Sequence, residues 1–178
     1  VKIWKEMGHE ARLFMHTSQH EPSSELIEAE IFPYQTKNKF QTELNRIRAT
    51  KQMVKSIEAF KPDIIYLRYG IYVYPAHQLM RIAPVIEEIN TNDLTQHEGL
   101  GGVYSLYNRL TRGIFLRRVV GLVTVSQELA VSSAFAKYQK PTCVIANGIE
   151  LEAFPTLPLA SNKIPRLAFI GSPDNHWH

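Results

Sequence analysis

The chain has 178 residues, which is enough for one domain and the beginning of another but not for two complete domains. Twenty Lys and Arg against 17 Asp and Glu give a net charge of +3 with neutral histidines, too small an excess to indicate a nucleic-acid partner. The hydrophobic content of 44% is typical of a globular protein rather than a disordered chain.

The single cysteine, Cys143, excludes an internal disulfide framework and every multi-cysteine zinc site. The longest apolar runs, such as residues 119–125, are much shorter than the about 20 residues needed to cross a bilayer. We therefore expect a cytoplasmic protein, with at most peripheral contact at the inner face of a membrane.

Strands and helices alternate along the predicted elements. Residues 1–7 resemble the last turns of a helix, Gly8 suits the left-handed position that ends it, and short strands are predicted over 11–15 and 29–32. Helices are predicted over 38–60, 74–83, 103–119 and 127–137, and strands over 63–67, 84–90, 120–125, 142–146 and 167–170.

Three predictions concern how these elements are buried. The apolar run at 63–67 indicates a strand covered on both faces, and the helix over 103–119 is apolar nearly all round, which predicts burial. Residues 91–98 are polar and predict a loop. The alternation predicts the α/β class, with a doubly wound, mainly parallel sheet and helices on both faces. Because the chain opens on the end of a helix, we expect the first strand to be missing.

Ligands bind at the carboxyl ends of the strands in such sheets. Arg68 ends one strand, where it can clamp an anion or form an ion pair with Glu88. Glu88 and Asn90 point to the same side of the next strand, and Glu98 follows in the polar loop. These carboxylates can accept hydrogen bonds from sugar hydroxyls or act as acid or base, but Glu88 can equally lock its loop.

The residues at the ends of the later strands indicate a ligand-binding site less strongly. Ser126 is placed to cap the following helix. Asn147-Gly148 predicts a turn with positive φ, and Gly171-Ser172 resembles the start of a phosphate-cradling turn. Residues 151–165 are proline-rich and predict a linker.

Several other patterns are weak. The glycines at 99–104 lack the third glycine of a dinucleotide fingerprint, and the seven histidines show no metal-binding spacing, so we expect no metal site. The arginines near residue 115 fan around the predicted helix instead of sharing one face, which gives little support to a membrane-binding helix. They are Arg109, Arg112, Arg117 and Arg118.

Six segments, in order, resemble the family 4 glycosyltransferases, retaining enzymes of the GT-B architecture. A single motif of this kind is weak, but six in the right order across the chain are fairly specific. The segments are GHEARLF, KPDIIYLRY, PVIEEINTNDLTQHE, GLVTVSQEL, VIANGIELEAF and RLAFIGS.

This resemblance implies an incomplete N-terminal, acceptor-side Rossmann-like domain at 1–150, a linker at 151–165, and the start of a nucleotide-sugar-binding domain at 166–178. It implies transfer of a sugar from a nucleotide-sugar to an acceptor hydroxyl of a polysaccharide, glycolipid or other glycoconjugate, with retention and without a bound cofactor or metal. Arg68, Glu88, Asn90 and Glu98 would face the acceptor. Asn147 and Gly148 would form the interdomain hinge, and Gly171 and Ser172 would lie near the donor phosphates.

The resemblance leaves questions open. Many relatives have a histidine where this chain has Asn90, so the role of that position stays open, and no catalytic nucleophile is assigned. Because the resemblance covers only the beginning of the donor-binding domain, we expect the 178 residues to be a fragment that is inactive alone. A non-catalytic α/β ligand-binding module and a GT-B sugar-nucleotide epimerase remain alternatives.

Overall fold

The computed structural model describes residues 1–18, 29–68, 70–98 and 102–148, except for the side chains of 96–98. The predicted linker at 151–165 and strand at 167–170 lie outside the described residues.

Six strands are present in the described part of the chain. They are β1 (Leu13–Thr17), β2 (Ala29–Pro33), β3 (Ile65–Arg68), β4 (Val85–Ile89), β5 (Gly121–Thr124) and β6 (Thr142–Val144). A 3-10 turn covers Ala76–Gln78. The helices are α1 (Lys2–Glu6), α2 (Lys39–Phe60), α3 (Leu79–Ile82), α4 (Asp93–Glu98), α5 (Gly102–Leu116), α6 (Gln127–Val131) and α7 (Ser133–Ala136).

Every strand pair is parallel, which confirms the predicted α/β class and parallel pairing. In the described residues, however, the strands form two sheets instead of one. β1 pairs with β2, and the other four strands follow the order β3-β4-β5-β6. One continuous hydrophobic core links Phe32 of β2 with Ile65 of β3 and Ile89 of β4, so both sheets belong to one packed body.

The long helix α2 supplies much of this core. Asn38 caps its first turn through a hydrogen bond from the Gln41 amide, and Lys61 ends it in the left-handed region at φ 54°. The helical spacing of the apolar residues between Phe40 and Phe60 predicts one buried face. Val54 and Ile57 of that face are buried, and so is Met53, which the prediction does not include. The predicted apolar face is wrong in the first turn, since Phe40 is 74% exposed.

The four-stranded sheet buries one face more completely than the other. Along β4, Val85, Glu87 and Ile89 are buried, whereas Ile86 and Glu88 between them are only half-buried. The prediction that 63–67 is covered on both faces is therefore wrong. Only Ile65 is buried there, because the strand's alternation carries Tyr66 to the open face.

Three observed helices differ from their predictions, and local hydrogen bonds explain two of these differences. Residues 91–98 contain α4 instead of a loop, because Asn92 accepts a hydrogen bond from the Leu94 amide at the helix start. The helix predicted over 127–137 is broken at the extended residue Ser132, whose hydroxyl donates to the Leu129 carbonyl. The segment predicted as helical over 74–83 begins with the 3-10 turn after Pro75.

Helix α5 confirms the predicted helix, but the prediction that it is buried all round is wrong. Its inward face carries Asn108, Arg112, Phe115 and Leu116. Leu110, on the opposite face, is 74% exposed. None of the helices in the described ranges is long and apolar enough to cross a membrane.

Candidate functional site

Three polar side chains meet on the open face of the sheet, toward the carboxyl ends of β3 and β4. Asn90 donates from Nδ2 to Glu88 Oε1 over 2.7 Å, and the Tyr66 hydroxyl lies near enough to the Glu88 carboxylate for the carboxylate to affect the tyrosine pKa. Glu88 and Asn90 therefore share one side of their strand, as the sequence predicts. We call Tyr66, Glu88 and Asn90 the Glu88 cluster.

The cluster offers hydrogen-bonding capacity to a ligand. Burial, reinforced by the neighbouring Glu88 carboxylate, raises the pKa of Tyr66 to about 12, so its hydroxyl stays protonated at neutral pH. The Asn90 Oδ1 atom is buried and has no hydrogen-bond partner in the described structure. A half-buried carboxylate at this position suits the hydroxyl donors of a sugar.

Arg68 is the last residue of β3 and is the register partner of Glu88 in β4. Its side chain is exposed, and no ion pair joins these two described residues. The structure therefore does not support the interpretation that Arg68 neutralises Glu88, because Asn90 donates to the carboxylate and Tyr66 lies beside it instead.

The remaining predicted site residues lie elsewhere or outside the described part. Glu98 is the last residue of α4, and its side chain is not described. Asn147 and Gly148 are exposed after β6, and the positive φ predicted for their turn is wrong, since neither has one. Gly171 and Ser172 lie outside the described residues.

Ser126 has the role that the sequence predicts. Its hydroxyl accepts a hydrogen bond from the Leu129 amide over 3.4 Å at the start of α6, so it caps this helix. Gly8, with φ 89°, likewise ends α1 as predicted.

On the opposite face of β4, a second set of polar residues is fully buried. Asp93 of α4 accepts two hydrogen bonds from the Arg112 guanidinium, at 2.7 and 2.8 Å, and one from Asn108 at 2.6 Å. Arg112 also donates to the carbonyl oxygen of Ala134 in α7 over 2.9 Å. This network ties three helices together behind the strand that carries Glu88.

Glu87 lies in the same buried region, and its Oε2 atom has no hydrogen-bond partner in the described structure. Burial, followed by the nearby charge of Asp93, raises the pKa of Glu87 to about 8, while the Arg112 charge opposes this rise. Two adjacent glutamates thus lie in different environments: Glu87 is buried and has a raised pKa, whereas Glu88 faces the open side of the sheet.

Sequence reasoning missed Tyr66, Glu87, Asp93 and Arg112. Strand alternation relates residues only within one strand, so Tyr66 comes beside Glu88 only through the pairing of β3 with β4. Arg112 resembles a surface cation in sequence, and only the fold reveals its partner Asp93, 19 positions earlier.

A catalytic metal centre has no support in the described ranges, where no group of three or more histidine, cysteine or carboxylate side chains is placed to hold an ion. The described site is therefore a hydrogen-bonding cluster at a sheet edge.

Comparison with known proteins agrees with this arrangement. The model of the family described as Glycosyltransferase Family 4 matches residues 2–153, which include α1, the six described strands and the Glu88 cluster. No curated protein matches the chain. The parallel α/β fold and this match over most of the chain establish that the protein belongs to Glycosyltransferase Family 4.

Proposed function

We propose that this chain is the acceptor-side domain of a retaining glycosyltransferase with GT-B architecture. The observation that carries the proposal is the Glu88 cluster, which lies toward the carboxyl ends of β3 and β4 in a chain of this family. Parallel α/β sheets bind their ligands at that edge. The acceptor is a hydroxyl of a polysaccharide, glycolipid or other glycoconjugate.

Glu88 is the acceptor-positioning group in this proposal. Its carboxylate accepts a hydrogen bond from the attacking hydroxyl, while Asn90, which donates to that carboxylate, and Tyr66 beside it hold the group in place. As the acceptor oxygen bonds to the anomeric carbon, the bond from that carbon to the donor's phosphate oxygen breaks. The nucleotide leaves with the electrons of that bond, and the proton of the acceptor hydroxyl passes to the departing phosphate. In this proposal Arg68, the last residue of β3, and Glu98, the last residue of α4, extend the acceptor side.

The donor is a nucleotide-sugar bound as substrate, with no further cofactor. We propose that residues 151–165 link the acceptor domain to a donor domain beginning at 166, where Gly171 and Ser172 approach the donor phosphates. Asn147 and Gly148 are exposed at the end of the described chain, which suits a hinge. The lone Cys143 supports a cytoplasmic location.

An assay of the protein expressed from the complete gene tests this function. The protein is incubated with a panel of radiolabelled nucleotide-sugars and acceptor extracts, and product configuration is read by NMR. We expect one donor to give glycosylated acceptor with retained anomeric configuration. Inverted configuration, epimerised donor, or sugar binding without transfer across the panel would refute the proposal.

A further inference from the structure

A partly exposed tryptophan lies over the open face of the sheet, next to the Glu88 cluster. Trp4 of α1 packs against Tyr66 with the ring centres 5.5 Å apart and the ring planes at 71° to each other. Tyr66 in turn lies beside the Glu88 carboxylate. An indole, a phenol and a carboxylate therefore follow one another on the same face of the sheet.

Packing in the core does not explain Trp4. Helix α1 contributes no buried residue, and the indole is 42% exposed, although tryptophan side chains are highly buried on average. Because the ring of Tyr66 is nearly perpendicular to the indole, it contacts the indole without stacking on it face to face. Trp4 therefore keeps apolar ring surface open to a ligand.

Other exposed aromatic residues have different neighbours. The ring of Tyr74 lies against the Lys51 ammonium group and the His77 ring, and the Tyr107 hydroxyl donates to the carbonyl oxygen of Tyr72. In the part of the chain that the structure describes, Trp4 is the exposed aromatic residue whose ring packs on a member of the Glu88 cluster.

The chemistry of a sugar ring suits an open indole beside a carboxylate. The face of an aromatic ring carries partial negative charge. The C–H hydrogens on the apolar face of a pyranose carry partial positive charge, so the two faces attract each other. The hydroxyl groups around the same pyranose are donors that the Glu88 carboxylate can accept. Small-molecule sites combine aromatic surface with a few placed polar groups in this way.

We propose that Trp4 is a stacking platform for a pyranose ring of the acceptor, and that this ring carries the hydroxyl that Glu88 positions. This inference rests on the proposed function and narrows its acceptor to a saccharide unit, in place of any glycoconjugate hydroxyl. Trp4 is a positioning residue here and takes no part in making or breaking bonds.

Tryptophan fluorescence of the 178-residue chain tests the platform without sugar transfer. The only other tryptophan of the sequence is removed in Trp177→Phe, so that the emission reports Trp4 alone. The protein is titrated with methyl glycosides of glucose, galactose, mannose and N-acetylglucosamine, and with sorbitol, which has hydroxyl groups but no ring. We expect a saturable change of emission with at least one glycoside and none with sorbitol.

Substitutions at Trp4 separate stacking from simple apolar covering of Tyr66. Trp4→Leu keeps an apolar side chain but removes the ring, and should weaken binding of the responding glycoside by about tenfold in calorimetry. Trp4→Tyr keeps a ring and should stay within about threefold of the unmodified protein. Phe40→Leu removes a ring that is 74% exposed on α2, so it is the matched control and should bind normally. Circular dichroism checks folding, and Trp4→Met replaces Trp4→Leu if the latter is unfolded.

Kinetics of the protein from the complete gene separate this inference from the proposed function. Trp4→Leu should raise the acceptor KM by about tenfold and leave kcat within about twofold, because stacking holds the acceptor before and during transfer. Saturable glycoside binding at Trp4 without sugar transfer would support the platform and refute the proposed function. The platform itself is overturned if no glycoside changes the emission, or if folded Trp4→Leu binds the responding glycoside as tightly as the unmodified protein.

Discussion

Two neighbouring glutamates show how strand geometry assigns different chemistry to the same side chain. Glu87 points into the buried network around Asp93 and Arg112, while Glu88 points to the open face with Tyr66 and Asn90. Because successive residues of a strand alternate between its faces, one position separates a protonated core residue from a candidate ligand-binding carboxylate.

The raised pKa of Glu87 predicts a pH-dependent stability. The folded chain holds the Glu87 proton up to about pH 8, whereas the unfolded chain releases it near 4.5. The contribution of Glu87 to the free energy of unfolding is therefore fully present below pH 4.5 and is lost as the pH rises toward 8. The loss between pH 5 and pH 7 is roughly 2 kcal/mol.

Glu87→Gln tests this prediction, because glutamine stays neutral over the whole range. We expect the variant to lose much of the decline in the free energy of unfolding between pH 5 and pH 7, measured by urea titration. Glu58→Gln, an exposed position on α2, is the control and should retain the decline. An unchanged pH profile in Glu87→Gln would show that Glu87 ionises normally.

At the scale of elements, the residue that caps the start of α2 makes a measurable contribution to the stability of the protein. The Asn38 side chain accepts a hydrogen bond from the Gln41 amide over 2.9 Å. Removing it in Asn38→Ala should lower the free energy of unfolding by about 1 kcal/mol. Asn38→Asp keeps an acceptor oxygen and should stay close to the unmodified protein in the same titration, whereas equal losses in both variants would contradict a capping role.

The Asp93–Arg112 pair predicts a larger effect. Both side chains are 2% exposed, so removing either partner leaves a buried charge unpaired. Asp93→Leu or Arg112→Met should each destabilise the protein by about 3–5 kcal/mol. The double variant Asp93→Leu/Arg112→Met should lose less free energy of unfolding than the two single losses added together, because it leaves neither charge buried without its partner. Losses below about 1 kcal/mol in the single variants would contradict this account.

The sequence predicts elements well where apolar periodicity and end residues agree, as in α2 between Asn38 and Lys61. Prediction from the sequence fails where a single side-chain hydrogen bond decides where a helix begins or ends. Ser132 divides one predicted helix into α6 and α7, and Asn92 starts α4 in a stretch that composition assigns to a loop. Such bonds leave the hydrophobic pattern unchanged, so periodicity cannot reveal them.

At the scale of the molecule, the sequence predicts the parallel α/β fold and predicts that Glu88 and Asn90 point to the same side. It cannot predict Tyr66 beside Glu88 or Asp93 beside Arg112, because these contacts depend on which strands and helices become neighbours. It also predicts a buried α5, since apolar content alone does not tell an inward face from an outward one.

The central claim is that the Glu88 cluster positions the acceptor, and the turnover of Glu88→Gln tests it most directly. In the protein from the complete gene, we expect sugar transfer to fall by about a hundredfold with an unchanged melting temperature, while Glu58→Gln stays at the unmodified rate. If Glu88→Gln transfers sugar at the unmodified rate with its melting temperature intact, Glu88 does not act on the acceptor.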